Sequence, residues 1–240
     1  MSRQILSTLI GKTVKQAARL RGGGSALPGL VIEKIDPGFI ARTLAQIPRG
    51  VVVISGTNGK TTTTKIVVEL LEAGGLKVFT NRTGSNFSRG VAAALLGEVD
   101  MRGRLDADIA VLELDEAWAV KFVQLVPPRY SLLLNVMRDQ LDRFGEIDTA
   151  AGFLAKIAQA TTDTVVLNRD DPRIYRLHQQ TAADVAFFGT TDQLLELMPT
   201  DDALKAGQAQ ANHLAPADVL LTDIEDRKST RLNSSHTNRS

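Results

Sequence analysis

The segment Ser55-Gly56-Thr57-Asn58-Gly59-Lys60-Thr61-Thr62 has the residue types and spacing of a phosphate-binding loop. It follows an apolar run, Val51–Ile54, and opens a stretch with helical periodicity. A glycine-rich turn at such a junction lets backbone N–H groups approach phosphate oxygens, and the helix N-terminus adds partial positive charge. Gly56, Thr57, Asn58, Gly59 and Thr62 are the candidate phosphate contacts of the loop. Lys60 supplies a point charge for β- and γ-phosphates, and the Thr61 hydroxyl can ligate Mg²⁺. Where the longer G-x-x-x-x-G-K form places its first glycine, this chain has Ile54, so the loop is the shorter GTNGKTT variant.

A second group of reactive side chains, Glu113-Leu114-Asp115-Glu116, ends the apolar run Ile109–Leu112. Carboxylates at a strand end beside a phosphate loop suit a hard cation, since Mg²⁺ takes oxygen ligands and keeps several waters. Strand alternation puts Glu113 and Asp115 on one face. Asp115 or Glu116 can instead cap the following helix. Glu113 is the candidate metal ligand, together with Thr61, and Lys60 and Glu113 are the candidate catalytic residues. The polar loop Thr80–Gly90 adds Arg82, suited to an anionic substrate group or a phosphate, and Ser85 and Asn86, which can cap a helix or face substrate. Asn168-Arg169-Asp170-Asp171-Pro172 reads, from its residues alone, as a turn and helix cap. The chain has no cysteine, and His178, His213 and His236 are too scattered for a metal triad, so any metal sits on oxygen ligands and no structural zinc is expected.

The elements that must position these groups alternate. Apolar runs at Val51–Ile54, Lys77–Phe79, Ile109–Leu112, Ser131–Leu134, Thr164–Leu167 and Val185–Phe188 predict strands buried on both faces. Helical stretches are expected over Thr61–Ala73, Ser88–Leu96 (stopped by Gly97), Glu116–Leu125, Thr149–Ala160 and Pro172–Gln179. This order predicts an α/β fold, a doubly wound and mostly parallel sheet with right-handed crossovers, in which ligands bind at the carboxyl ends of the strands. Thr190–Pro216 is polar with weak periodicity, a peripheral helix or loop, and Asp218–Asp223 starts a further strand.

Arg3, Lys12, Lys15, Arg19 and Arg21, interleaved with Ile5, Leu6, Leu9, Ile10 and Val14 and without any acid, predict a basic amphipathic helix. The Gly22-Gly23-Gly24-Ser25 break ends it, and Pro28 is expected to prevent helix from resuming before Val31. The expected organisation is a helix and Gly/Pro linker over 1–45 and a nucleotide-binding domain over 46–225. The helix can rest on anionic lipid or pack on the domain.

With 240 residues, 43% hydrophobic and 23% charged, the composition is that of a globular chain rather than a disordered one. A formal charge of +1 argues against a nucleic-acid partner held by a strong basic field. No apolar run reaches the roughly 20 residues needed to span a bilayer, and no secretory signal opens the chain, so the cytoplasm is the expected compartment, with the inner face of the plasma membrane open to the basic helix. Asp226–His236, DRKSTRLNSSH, matches the conceptual translation of a common sequencing-library adapter and is excluded, with the rest of 226–240, from functional reasoning. Its Arg227, Lys228, Arg231 and Arg239 against Asp226 account for the slight basicity, and the expectation is that a C-terminal domain is missing.

GTNGKTTTT resembles the ATP loop of the Mur ligase superfamily. RGGGSALPG (Arg21–Gly29), TNRTGSN (Thr80–Asn86), LDEA (Leu114–Ala117) and NVMRDQLDRFGEIDT (Asn135–Thr149) resemble most the MurT-type subunits of lipid II isoglutaminyl synthase within it. The resemblance implies an ATP-dependent carbon–nitrogen ligase that amidates the D-glutamate carboxylate of lipid II through an acyl phosphate. It implies ATP and Mg²⁺ as cofactors and, through the missing C-terminal domain, a GatD-like glutaminase partner that supplies ammonia. It also implies that Asn168 and Asp171 belong to an adenine pocket. Gln140 stands where many members carry a metal-binding His, and the four-cysteine zinc ribbon common in the branch has no cysteines here. The competing readings are an amino-acid-adding Mur ligase or folylpolyglutamate-synthase-like enzyme, and a non-catalytic nucleotide-binding module.

Overall fold

The computed structural model describes residues 3–20, 26–81, 88–137, 146–197 and 216–223. Three helices, α1 (Arg3–Leu20), α2 (Ala26–Ile35) and α3 (Phe39–Leu44), precede the sheet. Strands β1 (Val51–Ser55), β2 (Val78–Thr80), β3 (Ile109–Glu113), β4 (Tyr130–Leu133), β5 (Thr164–Asn168), β6 (Asp184–Thr190) and β7 (Val219–Leu221) form one sheet in the order β2-β3-β1-β4-β5-β6-β7, with every pairing parallel. The connections carry α4 (Lys60–Ala73), α5 (Ser88–Glu98), α6 (Glu116–Leu125), α7 (Glu146–Ala160), α8 (Pro172–Tyr175), followed by a 3₁₀ turn (Arg176–Gln180), and α9 (Asp192–Leu197).

The period of two along the strands divides the core. Val51 and Val53 of β1, Ala110 and Leu112 of β3 and Leu133 of β4 enter one large cluster with side chains of α2, α3, α5, α6 and α7. Ile54, Val111 and Leu134 face the other way, against Val67, Val68 and Leu71 of α4. From β1 the chain goes outward to β2 and comes back to β3, then crosses past β1 to β4, so β1 lies at the point where the winding reverses. Its carboxyl end is where such sheets open a ligand crevice.

The doubly wound parallel sheet is as the sequence predicts, and several local expectations are corrected. Pro28 does not delay the helix: α2 starts at Ala26 and takes Pro28 into its first turn, where a backbone N–H has no intrahelical partner to lose. α5 ends at Glu98, one residue past the Gly97 at which a stop is expected, and a glycine in the last turn is tolerated there. The expected helix Pro172–Gln179 divides into α8 and the 3₁₀ turn, while α7 begins earlier than expected, at Glu146. Burial on both faces holds for β1 and β3, whereas β4 and β5 alternate buried with half-buried residues and β6, toward the sheet edge, is mostly half-buried. The polar stretch after Thr190 contributes α9, and residues 198–215 lie outside the described residues.

α1 docks on α2 and α5 through its small residues. A Cβ on Gly11 would fall within 3 Å of side-chain atoms of Leu96 and Ile32, so glycine is what lets the helices approach. Buried Ser7 donates to Asp36 Oδ2 at 2.6 Å, and Arg42 pairs with the same carboxylate. Leu6 and Ile10 remain exposed.

Candidate active site

The phosphate loop is held by the end of β4. Gly56 and Gly59 have φ of +140° and +83°, values that side chains with a Cβ rarely adopt. A Cβ on Gly56 would lie 3.0 Å from Asn135 N and 3.1 Å from Asn135 O. That close approach allows Thr57 N to donate to Asn135 O (3.0 Å) and Met137 N to donate to Thr57 Oγ1 (3.1 Å). Asn58 N donates to Asn135 Oδ1 (2.9 Å), and Asn135 Nδ2 donates back to Asn58 O (3.1 Å). The N–H groups of Thr57 and Asn58 are therefore committed to the neighbouring strand end. Phosphate is left the first turn of α4, where Lys60, Thr61 and Thr62 have N–H groups without intrahelical partners. Gly56→Ala combines positive-φ strain with this backbone clash and is expected to cost about 1–3 kcal/mol in urea unfolding. A variant within about 0.5 kcal/mol of wild type would contradict the loop geometry.

Lys60 folds over its own loop. Its Nζ donates to Gly56 O and to Thr57 O (the latter 3.1 Å) and lies 3.8 Å from Glu116 Oε2. Thr61 Oγ1 donates to Glu113 Oε1 at 2.8 Å, so the two candidate metal ligands, far apart in sequence, meet across the β1–β3 boundary. Both are hard oxygen donors, and Mg²⁺ commonly takes only one or two protein ligands while retaining waters, so the pair fits that ion. Among the described residues there is no cluster of three or more His, Cys, Asp or Glu side chains that could hold a metal alone.

Of the two readings of Asp115, metal-facing side chain or helix cap, the structure takes the cap. β3 ends at Glu113, so strand alternation does not extend to Asp115, which caps α6 by accepting from Ala117 N at 3.2 Å. Glu116 turns toward Lys60. Burial pushes its carboxyl above the usual glutamate range, opposed by its own backbone N–H and the Lys60 ammonium and reinforced by Asp115. A carboxyl with a higher pKa in the fold than in the unfolded chain contributes stability that is fully present below the unfolded value and lost as pH rises through the folded value. Glu116→Gln has no such proton to release. Its urea midpoint is expected to gain on wild type as pH rises from about 4 toward 7, whereas a constant difference would contradict the assignment.

Asn168 and Asp171 stand at the end of β5, with their polar atoms engaged by backbone. Asn168 Nδ2 donates to Leu134 O (2.8 Å) and its Oδ1 accepts from Asp170 N (3.0 Å). Asp171 caps α8 by accepting from Arg173 N and Ile174 N, and accepts from Val136 N at 2.7 Å. Leu134 N in turn donates to Ser55 O, so these residues connect through the end of β4 to the phosphate loop. Arg82, Ser85, Asn86 and Gln140 lie outside the described residues.

Residues 54–219 match the model of the Mur ligase middle domain. The chain belongs to the Mur ligase family. Its relatives in the family include a protein of Streptococcus pneumoniae, 37% identical over 92% of this chain and 45% of its own length, and one of Staphylococcus aureus, 35% identical over 73% of this chain and 39% of its own. Both are named lipid II isoglutaminyl synthase (glutamine-hydrolyzing) subunit MurT. This chain thus spans less than half the length of these curated relatives. The Mur ligase fold is also seen in the solved MurF ligase of Thermotoga maritima in complex with ADP, with a TM-score of 0.55 and 23% identity over 68% of this chain and 36% of that one.

Set on this Mur ligase sheet, Lys60, Thr61 and Glu113 come together as the residue types suggest. Glu116 beside Lys60, and Asn81 and Asn135 past their strands, carry contacts that spacing alone did not assign. A signal for the asparagines exists: Asn81 directly follows β2, Asn168 closes β5, and Asn135 stands just past β4.

Proposed function

We propose that this chain is the nucleotide-binding part of a MurT-type subunit of lipid II isoglutaminyl synthase, an ATP-dependent carbon–nitrogen ligase. The observation that carries the reading is the Thr61–Glu113 contact at 2.8 Å beside Lys60 on a phosphate loop. The names of the relatives support the choice of substrate, the D-glutamate carboxylate of lipid II, and their designation as a subunit supports a partner, read here as a glutaminase.

In this mechanism a carboxylate oxygen of the substrate attacks the γ-phosphorus of ATP, the bond to the β-phosphate oxygen breaks, and ADP leaves an acyl phosphate. Lys60 moves from its loop carbonyls to the phosphates and neutralises charge that spreads over the equatorial oxygens. Thr61 and Glu113 would hold Mg²⁺, which when bound would supply positive charge against the charge developing on the transferred phosphoryl group. Ammonia then attacks the acyl carbon, loses a proton and expels inorganic phosphate. Ammonia arrives as the free nucleophile.

No helix among the described residues is long and apolar enough to cross a membrane. α1, with exposed Leu6 and Ile10 and no acid among its residues, is suited to contact with anionic lipid on the cytoplasmic face. Sedimentation with anionic vesicles, weakened by Leu6→Ser with Ile10→Ser, tests that contact; indifference to the substitutions contradicts it.

The function is tested with the intact protein and its partner subunit, supplied with ATP, Mg²⁺, lipid II and either glutamine, ammonia or free amino acids. Amide, ADP and phosphate are expected with glutamine or ammonia. Product only with an amino acid would assign an amino-acid-adding ligase, and nucleotide binding without ADP release would assign a binding module.

A further inference from the structure

The carboxyl ends of the first five strands are stitched together by side-chain amides and one hydroxyl. Asn81, past β2 and only 6% exposed, makes a two-way contact with the backbone of Glu113 at the end of β3. Its Nδ2 donates to Glu113 O at 2.8 Å and its Oδ1 accepts from Glu113 N at 3.0 Å. Ser55 Oγ joins β1 to the end of β3 through Leu114 O (3.0 Å). Asn135 makes the second two-way contact, onto Asn58 of the phosphate loop, and Asn168 joins β5 to β4.

Two of these contacts satisfy both the N–H and the C=O of one residue in the site. A planar primary amide, with one acceptor oxygen and two donor hydrogens, can complete such a ring, and neither aspartate nor a hydroxyl can supply both ends in fixed geometry. Glu113 lies at the last position of β3, beyond the last residue that β2 pairs with but still beside Ile54 of β1, and Asn58 lies in a turn. The two contacts bear on different ligands: the Glu113 carboxylate touches Thr61 at the candidate metal position, and Asn58 belongs to the phosphate loop.

We propose that Asn81 and Asn135 are positioning residues with separable effects, Asn81 fixing the metal ligand Glu113 and Asn135 fixing the phosphate loop before nucleotide arrives. The proposal rests on the reading of this site as one for ATP and Mg²⁺. Groups that orient a metal ligand commonly affect metal affinity by about 10–100-fold. Loss of Asn81 therefore weakens the metal arm alone, and loss of Asn135 weakens nucleotide with or without metal.

The test is titration of the intact protein with a fluorescent ATP analogue, with and without MgCl₂, for wild type, Asn81→Ala, Asn81→Asp and Asn135→Ala. Asn81→Asp keeps the size and the acceptor but not the donor, so it carries the measurement if the alanine variant fails to fold. Asn81→Ala is expected to raise the Mg²⁺ concentration for half-maximal tightening about tenfold, with metal-free affinity unchanged. Asn81→Asp is expected to move in the same direction. Asn135→Ala is expected to weaken binding about tenfold in both conditions, the size expected from losing about two hydrogen bonds that hold the loop. Wild type that binds no nucleotide would overturn the ATP reading and this proposal with it. Wild type that binds while the Asn81 variants keep its Mg²⁺ requirement, or lose affinity equally with and without metal, would overturn the positioning proposal alone.

Discussion

Replacing Lys60 by alanine is expected to lower ATP turnover by the intact protein about a thousandfold, because the transferred phosphoryl group loses the cation that meets its equatorial charge. The geometry sets Lys60 at the loop. Lys60 is the cation that the loop's carbonyls, Gly56 O and Thr57 O, hold above the helix N-terminus, and Glu116 on its other side is a carboxylate that repels phosphate. Arginine in its place keeps the charge but brings a planar fork where the carbonyls receive a compact ammonium, so Lys60→Arg is expected to recover little. Thermal unfolding of both variants checks that the loss is not one of fold: the loop's attachment to Asn135 runs through Thr57 and Asn58 and does not use the lysine. Turnover within about tenfold of wild type in a folded Lys60→Ala protein would contradict the role.

The second large effect belongs to Glu113. Glu113→Ala is expected to reduce turnover at low millimolar Mg²⁺ about a hundredfold, and part of that loss is expected to return as Mg²⁺ is raised, since Thr61 and the nucleotide still offer oxygens. Lys60→Ala is not expected to respond to added metal. The contrast separates the two roles in steady-state kinetics at varied Mg²⁺. An Mg²⁺ response identical to wild type in Glu113→Ala would remove Glu113 from the metal site.

Much of this was readable from residues because the deciding features are local. Strand, glycine turn, lysine, hydroxyl and helix follow one another between Val51 and Ala73, and near-continuous apolar runs fix β1 and β3 as central strands. The meeting of Thr61 with Glu113 follows from the topology, since β3 lies beside β1 and pairs Ile54 with Glu113. What spacing hid depended on where elements end. Asp115 is one residue beyond Leu114 and two beyond the last strand residue, so a small change in the end of β3 turns a metal-facing carboxylate into a helix cap. Pro28 looks like a barrier when its place within a helix is not visible; in the first turn it is harmless. The amide contacts of Asn81 and Asn135 join positions 32 and 77 residues apart, and no periodicity reports such pairs.

Ligase chemistry at this site depends first on nucleotide bound at the loop through Lys60 and the Thr61–Glu113 pair. Calorimetric titration of the intact protein with ATP in the presence of Mg²⁺ measures it directly. Binding of one nucleotide per chain, weakened by Lys60→Ala and made insensitive to Mg²⁺ by joint replacement of Thr61 and Glu113 with alanine, is the predicted result. No binding, or binding that keeps its affinity and Mg²⁺ dependence in those variants, would contradict it.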